Sequence, residues 1–242
     1  EEQRPRRQPR SLVSLLVPAR RPSQEILDDH ELAPEEMARS LRDLDLVQRA
    51  WGAARALADW LAPRIGPGER PVVVDVGAGS AAVTRELGRR LARAGRPASA
   101  VAVDLQWRHL AAGRTRAREV PSAAADAFSL PFGDGGVDWT VSTLLFHHFS
   151  PEENRAFLRE LARVSRRGFL VLDLRRHRVP WAVVSLAGRV LFETRVSLLD
   201  GTASVLQAYT AREADRIAAE AVPGARAESV FPYRILIRGP GR

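Results

Sequence analysis

Three aspartates that close or follow apolar runs, a glycine pair and a histidine pair are the residues whose types and spacing suggest chemistry. Residues 72–83, Val-Val-Val-Asp-Val-Gly-Ala-Gly-Ser-Ala-Ala-Val, run apolar into glycines and then turn helical, as nucleotide-binding βαβ units do. Counted from Gly77 the stretch reads G-x-G-x-x-A, a dinucleotide fingerprint with alanine at its last position; counted from Asp75 it reads D-x-G-x-G. Asp75 favours the second reading. Two residues before the first glycine, a carboxylate would sit near the negative charges of a pyrophosphate, whereas a ligand with an ammonium group would welcome it. Gly77 and Gly79 let backbone N–H groups approach either a phosphate or a carboxylate, and an amino-acid moiety carries both an ammonium and a carboxylate. Asp104, 25 residues beyond Gly79, can accept hydrogen bonds from both hydroxyls of a ribose, and Asp126 adds a third acid on the same sheet edge.

His147 and His148 follow the fourth apolar run. A phenol titrates near pH 10, so a positioned histidine base would assist a reaction at its oxygen or ring carbon. Adjacent residues point in different directions, so one member of the pair is expected to face an acceptor. Asp173 is its expected orienting partner and His177 a further candidate for assistance. His30 and His109 read as surface residues.

The elements that must position these residues alternate. Strands are expected at 72–76, 101–104, 123–126, 137–143 and 168–174, with helices after the glycine loop, over 107–118 and near 211–221. Ser150-Pro151-Glu152-Glu153 is a capping box opening a helix whose core face is Phe157, Leu158, Leu161 and Val164. Residues 228–231 and 235–238 read as a terminal antiparallel hairpin. Ahead of the sheet, 23–62 reads helical, with Pro34 suited to a first turn, and Gly66-Pro67-Gly68 closes the segment. The fold class is therefore α/β: a doubly wound, Rossmann-like, mostly parallel sheet with an antiparallel end and an N-terminal helical cap. The organisation expected is a basic, flexible arm over 1–22, the cap over 23–66, and the main domain over 67–242. Within that domain an insertion at 175–210 holds more apolar residues, Trp181 and Phe192 among them, than a connector needs. It is expected to wall an apolar acceptor pocket.

Asp75-Val-Gly-Ala-Gly, Asp104-Leu105, Asp126-Ala127 before Leu130-Pro131-Phe132, and Val137-Asp138 leading to Phe146-His147-His148-Phe149 occur in one order. Together they resemble the class I S-adenosylmethionine-dependent methyltransferases over about residues 70–175. The resemblance implies a seven-stranded sheet and S-adenosylmethionine as cofactor. It implies that Asp75 and the loop Gly77-Ala78-Gly79 hold the methionine part and that Asp104 holds the ribose. Leu105, Asp126 and Ala127 then lie at the adenine, and Thr143 joins the cofactor set. Ala81 departs from the commoner third glycine and is expected to tighten the pocket. More narrowly, Leu41-Arg-Asp-Leu, Trp51-Gly52, Gly79-Ser-Ala and Asp173-Leu-Arg-Arg resemble bacterial methyltransferases of quinone biosynthesis and their polyketide-associated relatives. A small, fairly apolar, aromatic acceptor methylated on oxygen or carbon is implied.

The composition narrows the classes. The 242 residues hold no cysteine, which excludes disulfides, thiolate metal sites and a cysteine nucleophile, including that of carbon-five pyrimidine methylation. No metal site is expected. The net charge is +8 and every basic residue other than histidine is arginine. That charge keeps RNA methylation as an alternative, although the place of an Asn-Pro-Pro-Tyr motif reads Thr143-Leu-Leu-Phe146. A binding module that has lost turnover is a second alternative. No apolar run is long enough to span a bilayer, and a cytoplasmic location is expected.

Overall fold

The computed structural model describes residues 16–29, 31–117 and 120–242. Strands Val72–Val76 (β1), Ser99–Asp104 (β2), Ser122–Ala124 (β3), Val137–Thr143 (β4) and Ser165–Leu174 (β5) pair in parallel. Arg226–Val230 (β6) and Arg234–Pro240 (β7) complete a seven-stranded sheet in the order β3-β2-β1-β4-β5-β7-β6, with β7 antiparallel to both its neighbours. β1 is a near-continuous apolar run buried from Val73 onward, as suits a strand covered on both faces, whereas β4 alternates apolar with polar residues although it is buried throughout, and its Thr140 hydroxyl is hydrogen-bonded to Ser165 Oγ (2.9 Å).

The helices, in chain order, are Pro34–Ala50 (α1), Ala53–Leu61 (α2), Ala82–Arg93 (α3), Trp107–Ala117 (α4), Pro151–Val164 (α5), Arg178–Leu191 (α6), Arg195–Gln207 (α7) and Ala211–Ala221 (α8). Phe157, Leu161 and Ile217 bring α5 and α8 onto one face of the sheet, packed on Phe169 and Val171. Leu57, Leu61, Leu87 and Leu91 bring α2 and α3 onto the other, packed on Val141 and Leu170. The capping box forms as the sequence requires: Ser150 Oγ accepts from Glu153 N–H and Glu153 accepts from Ser150 N–H.

The strand order reverses between β1 and β4, which opens a crevice at their carboxyl ends. The elements on that edge depart from expectation in three ways. β3 ends at Ala124, so Asp126 lies in the following turn, where its carboxylate accepts Phe128 N–H (2.9 Å). The helical cap is broken at Trp51-Gly52, where Gly52 has φ 66°, and between residue 23 and α1 the described residues form a short 3₁₀ turn, Ile26–Asp28, in place of the expected helix. The flexible arm expected over 1–22 needs correction at its end. Arg20 donates to the carbonyls of His147, Phe149 and Gln207, and Arg21 N–H donates to Leu206 O, so this stretch is tied to the sheet edge. Residues 1–15 of that arm, and His30, lie outside the described residues.

Candidate active site

A cavity of about 440 Å³ runs across the carboxyl edge from the glycine loop to the histidine pair. At one end are Gly77, Gly79, Asp104, Leu105, Asp126 and Ala127; at the other are Glu25, His147 and His148. Apolar residues from the cap (Leu41, Leu44) and from the 175–210 segment (Val184, Phe192, Val205) wall the space between.

The loop end is an open backbone edge. Gly77 and Gly79 have φ of 72° and 53°, the left-handed region that glycine enters without a Cβ penalty. A Cβ on Gly79 would have only Leu41 Cδ2 nearby, at 3.9 Å, so the bare backbone leaves room in the cavity. Asp104 anchors the loop. Its Oδ2 accepts Gly79 N–H (2.7 Å) and its Oδ1 accepts Gln106 N–H (2.8 Å). Each carboxylate oxygen keeps lone-pair capacity for a further donor. Leu105 is 67% exposed at the cavity edge, an apolar side chain placed where a flat ring would cover it. His109 is not on the surface as expected: it is buried, with Nδ1 3.7 Å from Asp104 Oδ1, and lines the cavity.

Three residues expected at the cofactor do not line the cavity. Asp75 is fully buried beneath the loop, where Oδ2 accepts from Thr84 Oγ1 (2.6 Å) and Oδ1 lacks a hydrogen-bond partner. Desolvation, with Asp104 adding repulsion, pushes its carboxyl up to about 7 although the Thr84 bond acts the other way. Ala78 packs with Ala81, Ala102 and Leu110. Thr143 is buried and its hydroxyl accepts from Gln48 Nε2 (3.0 Å). Ala81 itself has φ 58° as the N-cap of α3 and is buried in that alanine cluster. Its methyl group therefore does not tighten the pocket.

At the other end the histidines do not diverge. The 3₁₀ turn Phe146–His148 stacks their rings 4.4 Å apart, and both reach Glu25. His147 Nδ1–H donates to Asp173 Oδ1 (2.7 Å) and its Nε2–H to Glu25 Oε1 (3.3 Å), while its backbone N–H donates to Asp173 Oδ2 (2.9 Å). Burial alone would lower the pKa of His147, but the two carboxylates outweigh it and raise it to about 10. His147 is therefore an imidazolium at neutral pH. In that state it has no free lone pair to take a proton, so of the expected pair, one member of which was to act as base, His148 is the candidate. The hydrogen bond from the same cation, the electrostatic attraction of His148 and His147, and donation from Ser204 Oγ together overcome desolvation and hold Glu25 down at about 2; Gln207 Nε2 also donates to it (2.8 Å). His148 is less buried, lines the cavity, and has Nε2 3.6 Å from Glu25 Oε2. His177 has no place here: its ring caps α6 by accepting Val179 N–H. Trp181 is exposed on α6 and does not line the cavity, whereas Phe192 does.

Glu25 is a cavity residue that sequence reasoning missed. It stands 122 residues from His147 in an irregular stretch, and no local spacing marks it.

Residues 73–168 match the family described as methyltransferase domain. The chain carries a class I S-adenosylmethionine-dependent methyltransferase domain. This domain is 44% identical over 105 residues to a demethylmenaquinone methyltransferase of Mycobacterium tuberculosis; the alignment covers 43% of this chain and 40% of that relative. The chain thus spans well under half the length of the curated relatives it matches. Among solved structures, human N-acetylserotonin methyltransferase in complex with SAM superposes with a TM-score of 0.59 at 14% identity, covering 86% of this chain and 56% of that one. The magnesium protoporphyrin IX methyltransferase of Synechocystis with bound SAH gives 0.55 at 16% identity, covering 82% and 86%. Both likenesses establish the methyltransferase fold.

Proposed function

We propose that the chain transfers a methyl group from S-adenosylmethionine to a small, apolar, hydroxylated aromatic acceptor of the quinone or polyketide type. The observation that carries this is the single cavity joining the Gly77–Asp104 edge to His148 and Glu25. The cofactor supplies an activated methyl on a sulfonium, so the protein's task is to align, desolvate and deprotonate the acceptor. Gly77, Gly79 and Asp104 would hold the amino-acid and ribose parts, and Leu105 and Ala127 the adenine. Asp75 would act from beneath the loop, its unpartnered oxygen favouring a positive charge above it. The apolar wall from Leu41 to Phe192 excludes water and suits a greasy ring. The quinone class is also the one named for the mycobacterial relatives.

His148 takes the acceptor's proton. Glu25 stabilises the imidazolium so formed, and His147, held by Asp173, positions Glu25 and is not itself a base. Incubating the chain with S-adenosylmethionine and a reduced demethylated naphthoquinone should give a product heavier by one methylene. His148→Ala should slow single-turnover transfer by about 10²–10⁴-fold, the usual range for a positioned base. An unchanged rate in that variant would remove His148 from the mechanism.

A further inference from the structure

The outer face of α6 has no role in the site. Val179, Val183, Leu186 and Val190 are spaced four, three and four residues apart, so they form one stripe along the helix. They are 41%, 52%, 66% and 86% exposed. The opposite face is the packed one: Pro180 and Gly188 are buried, Val184 lines the cavity, and a Cβ on Gly188 would strike the Phe192 ring at 2.8 Å. The polarity of an ordinary surface helix, apolar in and polar out, is lost here. Both long sides are apolar.

The charges carried by α6 itself are all of one sign. From Arg175 to Phe192 there is no acidic residue and there are four arginines. Arg175 is engaged with Ser229 and Tyr233, and Arg176 is buried against Glu213. Arg178 and Arg189, at the two ends of α6 and about 20° apart around it, are exposed and have no carboxylate partner among the described residues. An exposed apolar stripe flanked by cations is the pattern of a helix that lies in a lipid interface. A second copy fits worse: two-fold pairing of antiparallel α6 stripes would bring Arg178 of one copy towards Arg189 of the other.

We propose that α6 docks the protein on an anionic bilayer surface. Val179, Val183, Leu186 and Val190 enter the acyl boundary, and Arg178 and Arg189 meet the lipid phosphates. The inner face of the same helix walls the cavity, so docking would place that wall at the depth where an apolar acceptor partitions. The binding itself requires no methyl transfer, so it is tested without turnover.

The test is co-flotation of the full chain with phosphatidylglycerol–phosphatidylcholine vesicles and with phosphatidylcholine vesicles. The chain should float with the anionic vesicles and remain behind with the neutral ones. Leu186→Ser with Val190→Ser, and separately Arg178→Gln with Arg189→Gln, should each weaken partitioning about tenfold or more. Circular dichroism should show both variants folded. Failure of the wild-type chain to float overturns the proposal. So does undiminished flotation of the serine variant, which would mean that the overall charge of +8 acts alone. A concentration-dependent dimer of the wild-type chain, lost in the serine variant, would instead assign the stripe to a second copy.

Discussion

Asp173 is where the candidate site is most tightly knotted. Besides the His147 ring, it accepts the backbone N–H groups of His147 and Leu174, and it is buried at the end of β5. Asp173→Ala would leave two backbone donors and an imidazolium without their anion. Removing one partner of a buried ion pair costs about 3–5 kcal/mol, and denaturant unfolding should show a loss of that size. His148→Ala, at the exposed end of the pair, should leave stability within about 1 kcal/mol of wild type while slowing turnover. Asp75 gives an opposite sign. Its carboxyl is raised from the ordinary aspartate range to about 7, so the folded state holds a proton that the unfolded state releases. Stability on its account falls as pH rises from about 4 to 7. Asp75→Asn should flatten that part of the stability profile and be at least as stable as wild type above pH 7. A steeper fall in the variant would contradict the burial that the raised value reflects.

Among the elements, the segment ahead of α1 carries the clearest pH dependence. It is held by the Glu25–His147 ion pair, by Arg20, and by Asp200, which accepts Ile26 and Leu27 N–H (2.9 and 2.8 Å). His147 is raised from its ordinary 6.5 to about 10, so its contribution is complete below about 6.5 and is lost as pH climbs to about 10. Glu25 is lowered from 4.5 to about 2, so its contribution is complete above about 4.5 and is lost as pH falls to about 2. The segment should therefore be most firmly seated between about pH 4.5 and 6.5. Hydrogen exchange at Ile26 and Leu27, corrected for the intrinsic pH dependence of exchange, should show protection declining between pH 7 and 10. In His147→Gln that decline should be absent and protection low throughout.

The same elements show what a sequence can and cannot reveal. β1, β4, the Ser150 capping box and α8 were legible because each is specified locally, by an apolar run, a cap and a period. Asp104 and Asp126 were legible as cavity residues because strand ends converge on one edge in a doubly wound sheet, and the family resemblance added Leu105 and Ala127. Glu25 was not, because it is recruited by tertiary contacts from a stretch without a pattern. Asp75, Ala78 and Thr143 were misplaced because adjacency to a loop does not say which way a side chain turns. His109, and the expectation that the His147 and His148 rings diverge, were misread for a related reason: spacing along the chain does not report what the fold brings opposite a ring.

At the scale of the whole molecule, a seven-stranded sheet places the Gly77–Asp104 edge, the Glu25–His147–His148 cluster and an apolar wall around one cavity. Among the described residues no helix is long and apolar enough to cross a membrane. Calorimetric titration reads directly whether this edge takes an S-adenosyl ligand, as proposed, or a dinucleotide. Wild-type chain titrated with S-adenosylhomocysteine should bind at one site per chain, and NAD should give no measurable heat. Asp104→Ala should weaken S-adenosylhomocysteine by about 1.5–3 kcal/mol, the range for hydrogen bonds to a charged group. Tight NAD binding, or S-adenosylhomocysteine affinity unchanged in Asp104→Ala, would contradict the assignment of this edge to the methyl donor.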